Sequence, residues 1–542
     1  MVTIEDEMFD ELVDTLIKDF LDFNPLMGTH LGLHEYDTLV PDLSKERMEY
    51  IIKRLEEYLK KFKNIDKDRL TNSRRIDYEP IVARIEEILI LLRDWPTWRM
   101  YPIGYELTGS ALFPLLIRDH LPLEHRLNAL YHRIKKIDLM IINSLKCVDN
   151  PYKLWIEYTL MTAKGLPSLI NIIRGLGQRQ GFTELVSVCD KALDLIRRSI
   201  SEVRNLEERA RLGFKPIGRE LFERLLKLRF IDEDIETLRK IGYQEAERYR
   251  KLMQKAAKEM GVKNISEGFN RIKQHYPKSK DEVYKLYKET VKEAREFLIK
   301  RNILDLPPFE KVNIIETPEY MRHIIPFAAY VPPEVFSWSS TGIFLVTPPE
   351  TKEMLQHHNI YDILNTVVHE AYPGHHLQLV YTKLYPNAIR KILVSATELI
   401  EGWAHYCEEL VLNLNINPSP EYKFKVYHDA LWRAVRVYVD IELSTGMITF
   451  EQAVNKLMKD AYLPKEGAYS EALRYTMAPG YQLCYNYGKR RILKLKDEVR
   501  RILGARYSDK LFHKLLLEEG ALPLKIIERI VIEKAKEITR RS

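Results

Sequence analysis

A chain of 542 residues with 45% hydrophobic and 30% charged side chains can bury a large core. Its 84 basic and 78 acidic side chains nearly cancel, to +6, and they are interspersed (KKFKNIDKDR), so they read as solvated helix faces and exclude a nucleic-acid groove. Cys147, Cys189, Cys407 and Cys484 are far apart, the N-terminal stretch is acidic and amphipathic, and the most apolar run is only IEEILILL, which points to free thiols, no signal peptide, no membrane span and a cytoplasmic location.

The first half reads as helix. Phe9, Leu12, Val13, Leu16, Ile17 and Phe20 recur at helical spacing over residues 4–21. Residues 79–93 follow the same rule, with Pro80 placed in a first turn. Further helices are expected at 44–62, 123–146, 151–163, 181–210, 216–229, 231–259 and 279–301, separated by Pro- or Gly-rich breaks such as KGLP and GFKPIG. After Ile303 the texture changes. Proline-bounded runs (FEKVNIIETP, PFAAYVPPEVFSW, STGIFLVTPPE) predict short strands in one small sheet. Helices resume at 351–383, 391–413, 418–443, 449–459 and 469–502. The expected fold is mainly α: a helical region 1–302 and a catalytic region 303–542 with the small β-sheet, forming one continuous unit. Abundant Lys, Glu, Arg, Ile and Tyr beside few Cys suit a thermophile.

Within 366–379 the chain reads TVVHEAYPGHHLQL, close to the H-E-x-x-H of zinc peptidases. There, two His four apart on a helix share one metal, and the intervening Glu takes a proton from the water that the metal activates. Here the position four after His369 is Pro373, which cannot be a ligand and cannot continue a regular helix. In a straight helix His375 would sit roughly 120° off the His369 face, and His376 would return to that face about 10 Å along the axis. A bulge at Tyr372-Pro373-Gly374 would absorb two residues and bring one of these histidines back. The apolar lead-in ILNTVV buries His369 and Glu370, which favours a metal over a surface pair.

Downstream, ATELIEGWAHYCEEL offers Glu401 as a third ligand, with Gly402 and Ala404 permitting close packing and His405 four residues on as a donor to a ligand. In ALRYTMAPGYQLCYNYGKRR, Tyr475, Tyr481, Tyr485 and Tyr487 are crowded beside Arg474, and a phenol from this group can stabilise developing negative charge on a carbonyl oxygen. If the segment is helical, Tyr481 and Tyr485 share a face. Arg474 and Tyr475 are candidate substrate contacts, as is His376, while Arg436 reads as a structural ion pair. His357 and His358 read as surface residues.

HEAYPGHH, IEGWAHY and RYTMAPGYQLCYNYG, in this order, resemble a widespread family catalogued as domain of unknown function 885, whose members are assigned to the thermolysin-like (gluzincin) metallopeptidase clan. DFNPLMGTHLGLHEYD and ETPEYMR…AAYVPPE extend the resemblance over nearly the whole chain. The segment PGYQLCYNYG is similar to the Gly-Tyr-x-x-x-Tyr of thermostable carboxypeptidases and oligopeptidases, and IEGWAHY to the N-E-G-F-A segment of aminopeptidases. The resemblance implies a zincin-like core with one Zn²⁺ held by His369, His375 (favoured over His376, because Gly precedes it) and Glu401. It also implies Glu370 as general base and Tyr481 or Tyr485 as oxyanion donor. Family members carry Gln in place of Tyr481 and His in place of Ser444, a departure that bears on specificity. The expected activity is hydrolysis of short peptides, with carboxypeptidase, dipeptidase and oligopeptidase undistinguished. A zincin-fold hydrolase of another amide or ester, a catalytically silent zinc or peptide binder, and a purely helical scaffold are the alternatives; the sequence does not specify an oligomeric state.

Overall fold

The computed structural model describes residues 3–541 except 119, 323, 324 and 326. Among these, helices dominate beside one three-stranded sheet, and no helix is long and apolar enough to cross a membrane. The chain divides into two compact units: residues 1–215 with 318–324 and 334–339, and residues 216–317 with 325–333 and 340–542. The division thus falls at Lys215 and Pro216, ahead of the change of texture at 303. Its cause is visible in the second unit, where helix Ile235–Glu259 packs along helix Pro420–Ser444.

The first unit is built of helices. Thr3 opens Ile4–Phe23 with a capping box, and Phe9, Val13 and Leu16 are its buried stripe. The helix expected at 79–93 begins at Asn72, so Pro80 lies inside it, and the chain then widens into a π turn over Ile90–Asp94. KGLP is not a break: helix Lys153–Arg179 continues through Pro167, held by buried Leu166, Leu169, Ile170 and Ile173. The segment 123–146 is two helices, Leu123–Lys135 and Ile137–Cys147. Helix Gly104–Ile117 had no counterpart in the expected elements. It is buried on nearly every side, so it carries no polar face to reveal a period.

In the second unit the strands are β1 (Glu310–Glu316), β2 (Ala328–Val331) and β3 (Ser340–Val346), in the order β1-β3-β2. β3 is buried at its centre, parallel to β1 and antiparallel to β2. The strand that leads into the HEAYPGHH segment is therefore interior, and only β1 and β2 offer an edge. Helices Thr397–Asn413 and Cys484–Leu503 meet at two glycines: a Cβ on Gly488 would lie 1.9 Å from the Glu398 carbonyl oxygen, and one on Gly402 would lie 2.6 Å from the Gly488 Cα. Gly402 thus serves contact with the C-terminal tyrosine segment, not with the HEAYPGHH helix. Replacing Gly488 with Ala is expected to destabilise the protein by about 1–3 kcal/mol or more through overpacking against backbone. An unchanged midpoint in chemical denaturation would show that the two helices can separate freely.

Candidate metal centre

The HEAYPGHH segment is two helices with a folded-out link, where the sequence led us to expect a bulge within one. Asn359 caps helix Ile360–Glu370 by accepting the amides of Tyr361 and Asp362. The chain leaves the helix at Ala371 (φ −116°, ψ −86°), passes through a cis Tyr372–Pro373 bond, and restarts as helix His375–Leu384. The link's polar groups are satisfied: the amides of Ala371 and Tyr372 reach Val367 O, Gly374 N donates to Val368 O (3.0 Å), and Trp403 Nε1 donates to Pro373 O (2.8 Å). Only glycine fits at 374, since a Cβ there would stand 1.8 Å from the His369 carbonyl oxygen. The link takes up the two extra residues and returns His375 to His369, with ring centroids 4.8 Å apart.

His369, His375 and Glu401 are all buried, and one potential ligand atom from each lies within 4.8 Å of the others. Glu401 Oε2 faces His375 Nε2 at 3.3 Å and His369 Nε2 at 3.6 Å. That oxygen is buried yet has no hydrogen bond among the described residues, and the same holds for His375 Nδ1. Two imidazoles and a carboxylate converging on one point, with an unspent buried oxygen, form a donor set that could hold a cation of the zinc class. Burial acts against the Glu401 carboxylate, but His375 and His369 beside it hold it well below its ordinary range. Burial likewise acts against charge on His369, and Glu401 and Glu408 outweigh it, raising the imidazole to about 9. Glu370 is adjacent to His369 in the chain and outside the cluster, and burial raises its carboxyl above the usual value.

Glu408, two turns after Glu401, is the residue the sequence reading missed. It is fully buried, its Oε1 takes His369 Nδ1 at 2.7 Å and Arg433 Nη2 at 2.9 Å, and its Oε2 takes Asn365 Nδ2 at 3.1 Å. With Nδ1 so engaged, His369 turns Nε2 toward Glu401. The signal was present as a carboxylate seven residues after Glu401, on the same helix face. His405, expected to donate to a ligand, instead packs behind Glu408, with Nδ1 3.8 Å from Glu408 Oε2 and Nε2 3.4 Å from Lys489 Nζ. Burial and Lys489 push it down to about 3.

Tyr481 donates to Glu401 Oε1 at 2.5 Å from the turn before the last of these helices, not from the helix itself. Asp440 fixes that turn by accepting the amides of Gly480 (3.1 Å) and Gln482 (2.9 Å), while Ser444 Oγ donates to it at 2.9 Å. Tyr485 stacks on His369 (6.2 Å, 19°), lies under Arg436 at 4.7 Å and Arg433 at 5.7 Å, and its hydroxyl has no hydrogen bond among the described residues. Burial pushes its phenol up to about 12, so it stays a proton donor. Arg474, Tyr475 and Arg436 all converge on Glu471, at 2.8, 2.7 and 2.9 Å. Arg436 is thus an ion pair as expected, and Arg474 and Tyr475 belong to the same group. Tyr487 turns away, to Glu233. His376 does not join the cluster: its Nδ1 meets Tyr330 Oη (2.7 Å) and its Nε2 meets Glu310 Oε2 (2.9 Å), tying the helix to β2 and β1. His358 is buried beside Tyr287, not on the surface. A separate cavity of about 340 Å³, lined by Glu245, Arg248, Asn486 and Lys489 among others, includes none of the cluster residues.

The family model described as "Bacterial protein of unknown function (DUF885)" matches residues 25–531, and the chain belongs to that family. Among solved structures, a candidate lipoprotein from Colwellia psychrerythraea is 18% identical with a TM-score of 0.84, over 99% of this chain and all of that one (100%). A candidate lipoprotein of unknown function from Shewanella oneidensis is 21% identical with a TM-score of 0.77, over 97% of this chain and 99% of that one. At these identities the likeness shows a shared fold. No curated protein matches the chain.

Proposed function

We propose that this member of the family is a zinc-dependent peptidase of the gluzincin type, with a zincin-like core, acting on short peptides. The observation that carries the reading is the convergence of His369, His375 and Glu401 around a buried carboxylate oxygen that has no hydrogen bond, with Glu370 next in the chain. His369, His375 and Glu401 would hold one cation, which when bound supplies Lewis acidity to activate water and polarise a carbonyl. Glu370 accepts the proton of the attacking water and passes it to the leaving amine, a role suited by its raised pKa. Tyr485 is the better-placed oxyanion donor of the two phenols, because its hydroxyl is uncommitted and stays protonated. Tyr481 instead positions Glu401. Four buried free cysteines support a reducing, cytoplasmic setting for this activity.

The test is a mixed short-peptide library read by mass spectrometry, using the zinc-loaded protein, a chelator-stripped sample and a re-zincated one. We expect cleavage by the first and third only, with end trimming or internal cuts separating carboxypeptidase from oligopeptidase. A loaded protein that cleaves no peptide, but hydrolyses other amides or esters or merely binds peptides, would overturn the reading.

A further inference from the structure

The first unit contains another group of metal-ligating side chains, unrelated in sequence to HEAYPGHH. Helix Pro25–Leu31 ends at Gly32 in the left-handed region (φ +85°, ψ 25°), and the chain then forms a short 3-10 turn, His34–Tyr36, followed by Asp37. Side chains three apart on such a turn eclipse one another, so His34 and Asp37 point the same way. His34 Nδ1 lies 3.1 Å from Asp37 Oδ2, and His125, from the first turn of helix Leu123–Lys135, places Nε2 3.0 Å from the same oxygen. One potential ligand atom from each of the three lies within 4.8 Å of the others.

Three features separate this group from an incidental hydrogen-bonded trio. Asp37 is wholly buried (0% exposed), and its other oxygen, Oδ1, has no hydrogen-bond partner among the described residues. No lysine or arginine among the described residues stands within ion-pair distance of that carboxylate, whose side-chain partners are the two histidine nitrogens, while Arg118 and Arg133 act on it only at longer range. Finally, His34 turns its second nitrogen, Nε2, toward Glu334 Oε2 at 3.8 Å, and Glu334 is itself held by Arg118 (2.6 Å) and His120 (2.8 Å). A carboxylate behind a histidine's far nitrogen is the usual support of a metal-binding imidazole. In a tetrahedral site with bonds of about 2.0–2.1 Å, ligand atoms stand about 3.3 Å apart. Each imidazole nitrogen already stands within a few tenths of an ångström of that separation from Asp37 Oδ2. Both are on the solvent side, at 31% and 40% side-chain exposure.

We propose that His34, Asp37 and His125 bind a second divalent transition cation of the zinc class, with Glu334 orienting His34 and solvent completing the coordination. This site is independent of the proposed catalytic centre. The test is metal counting by mass spectrometry on full-length protein dialysed against Zn²⁺ or Co²⁺ and desalted. A His369→Ala/His375→Ala variant removes the first centre. That variant should retain one equivalent, and adding Asp37→Asn or His125→Ala should bring it to none. His125→Ala is the safer probe because its side chain is partly exposed, and it should weaken Co²⁺ binding at least tenfold by titration of the visible absorption. One equivalent in the wild type and one in the double variant would uphold this site and sink the first. None in a double variant that unfolds as cooperatively as the wild type, or Co²⁺ affinity unchanged by His125→Ala, would overturn it.

Discussion

Glu370→Gln should lower kcat/KM for peptide cleavage by about 10²–10⁴-fold while leaving the bound metal in place. Gln preserves the shape and polarity of the side chain but has no lone pair basic enough to take a proton from water. The fall should appear in kcat with little change in KM, because the residue acts on the reacting water and not on the bound peptide. The metal should stay because Glu370 is not in the cluster: the three converging groups are His369, His375 and Glu401. Burial raises the Glu370 carboxyl while His369 and His375 nearby pull the other way, so a raised pKa is the net result of desolvation. Activity within tenfold of wild type would assign the proton transfer elsewhere. Loss of the metal together with activity would mean that the carboxylate holds the cluster and does not work on the water.

The helices with one apolar stripe were legible: Phe9, Val13 and Leu16 form the buried face that their spacing implied. Segments buried on all sides were not, because Gly104–Ile117 has no polar face to set a period. Proline was an uneven guide. Pro80 and Pro167 are accommodated inside helices whose buried apolar neighbours outweigh the local cost, whereas Pro373 does end one. At the site, the sequence identified the residue types but not the form of the link. Helix geometry alone left His375 and His376 both open, and only the resemblance favoured His375; the structure separates them, with His375 beside Glu401 and His376 between Tyr330 and Glu310. That choice depends on where the chain restarts as helix, which is set by Trp403 and the Val367 and Val368 carbonyls and cannot be counted along a helical wheel. Glu408 escaped notice for a related reason. Its role depends on a partner from a helix distant in sequence, although its spacing from Glu401 was plain.

Glu408→Ala should weaken metal binding by about 10–100-fold, with a loss of about 3–5 kcal/mol in the stability of the metal-free protein. Both follow from what the carboxylate touches. His369 Nδ1, Arg433 Nη2 and Asn365 Nδ2 would lose their shared acceptor in a site with no solvent to replace it. Arg433, largely enclosed at 11% side-chain exposure, then loses its carboxylate partner, which accounts for most of the stability loss. His369 is free to rotate or change tautomer, which accounts for the weaker binding. Glu408→Gln separates the two effects. Its amide oxygen can still accept from His369, so metal affinity should recover in part, while Arg433 remains uncompensated and the stability loss should persist. Competition with a chromogenic chelator measures the first quantity, and denaturant unfolding of the stripped protein the second. Metal affinity within about threefold of wild type in Glu408→Ala, short of that 10–100-fold loss, would show that His369 is oriented by the helix end alone. The charged network behind it would then be a feature of folding only.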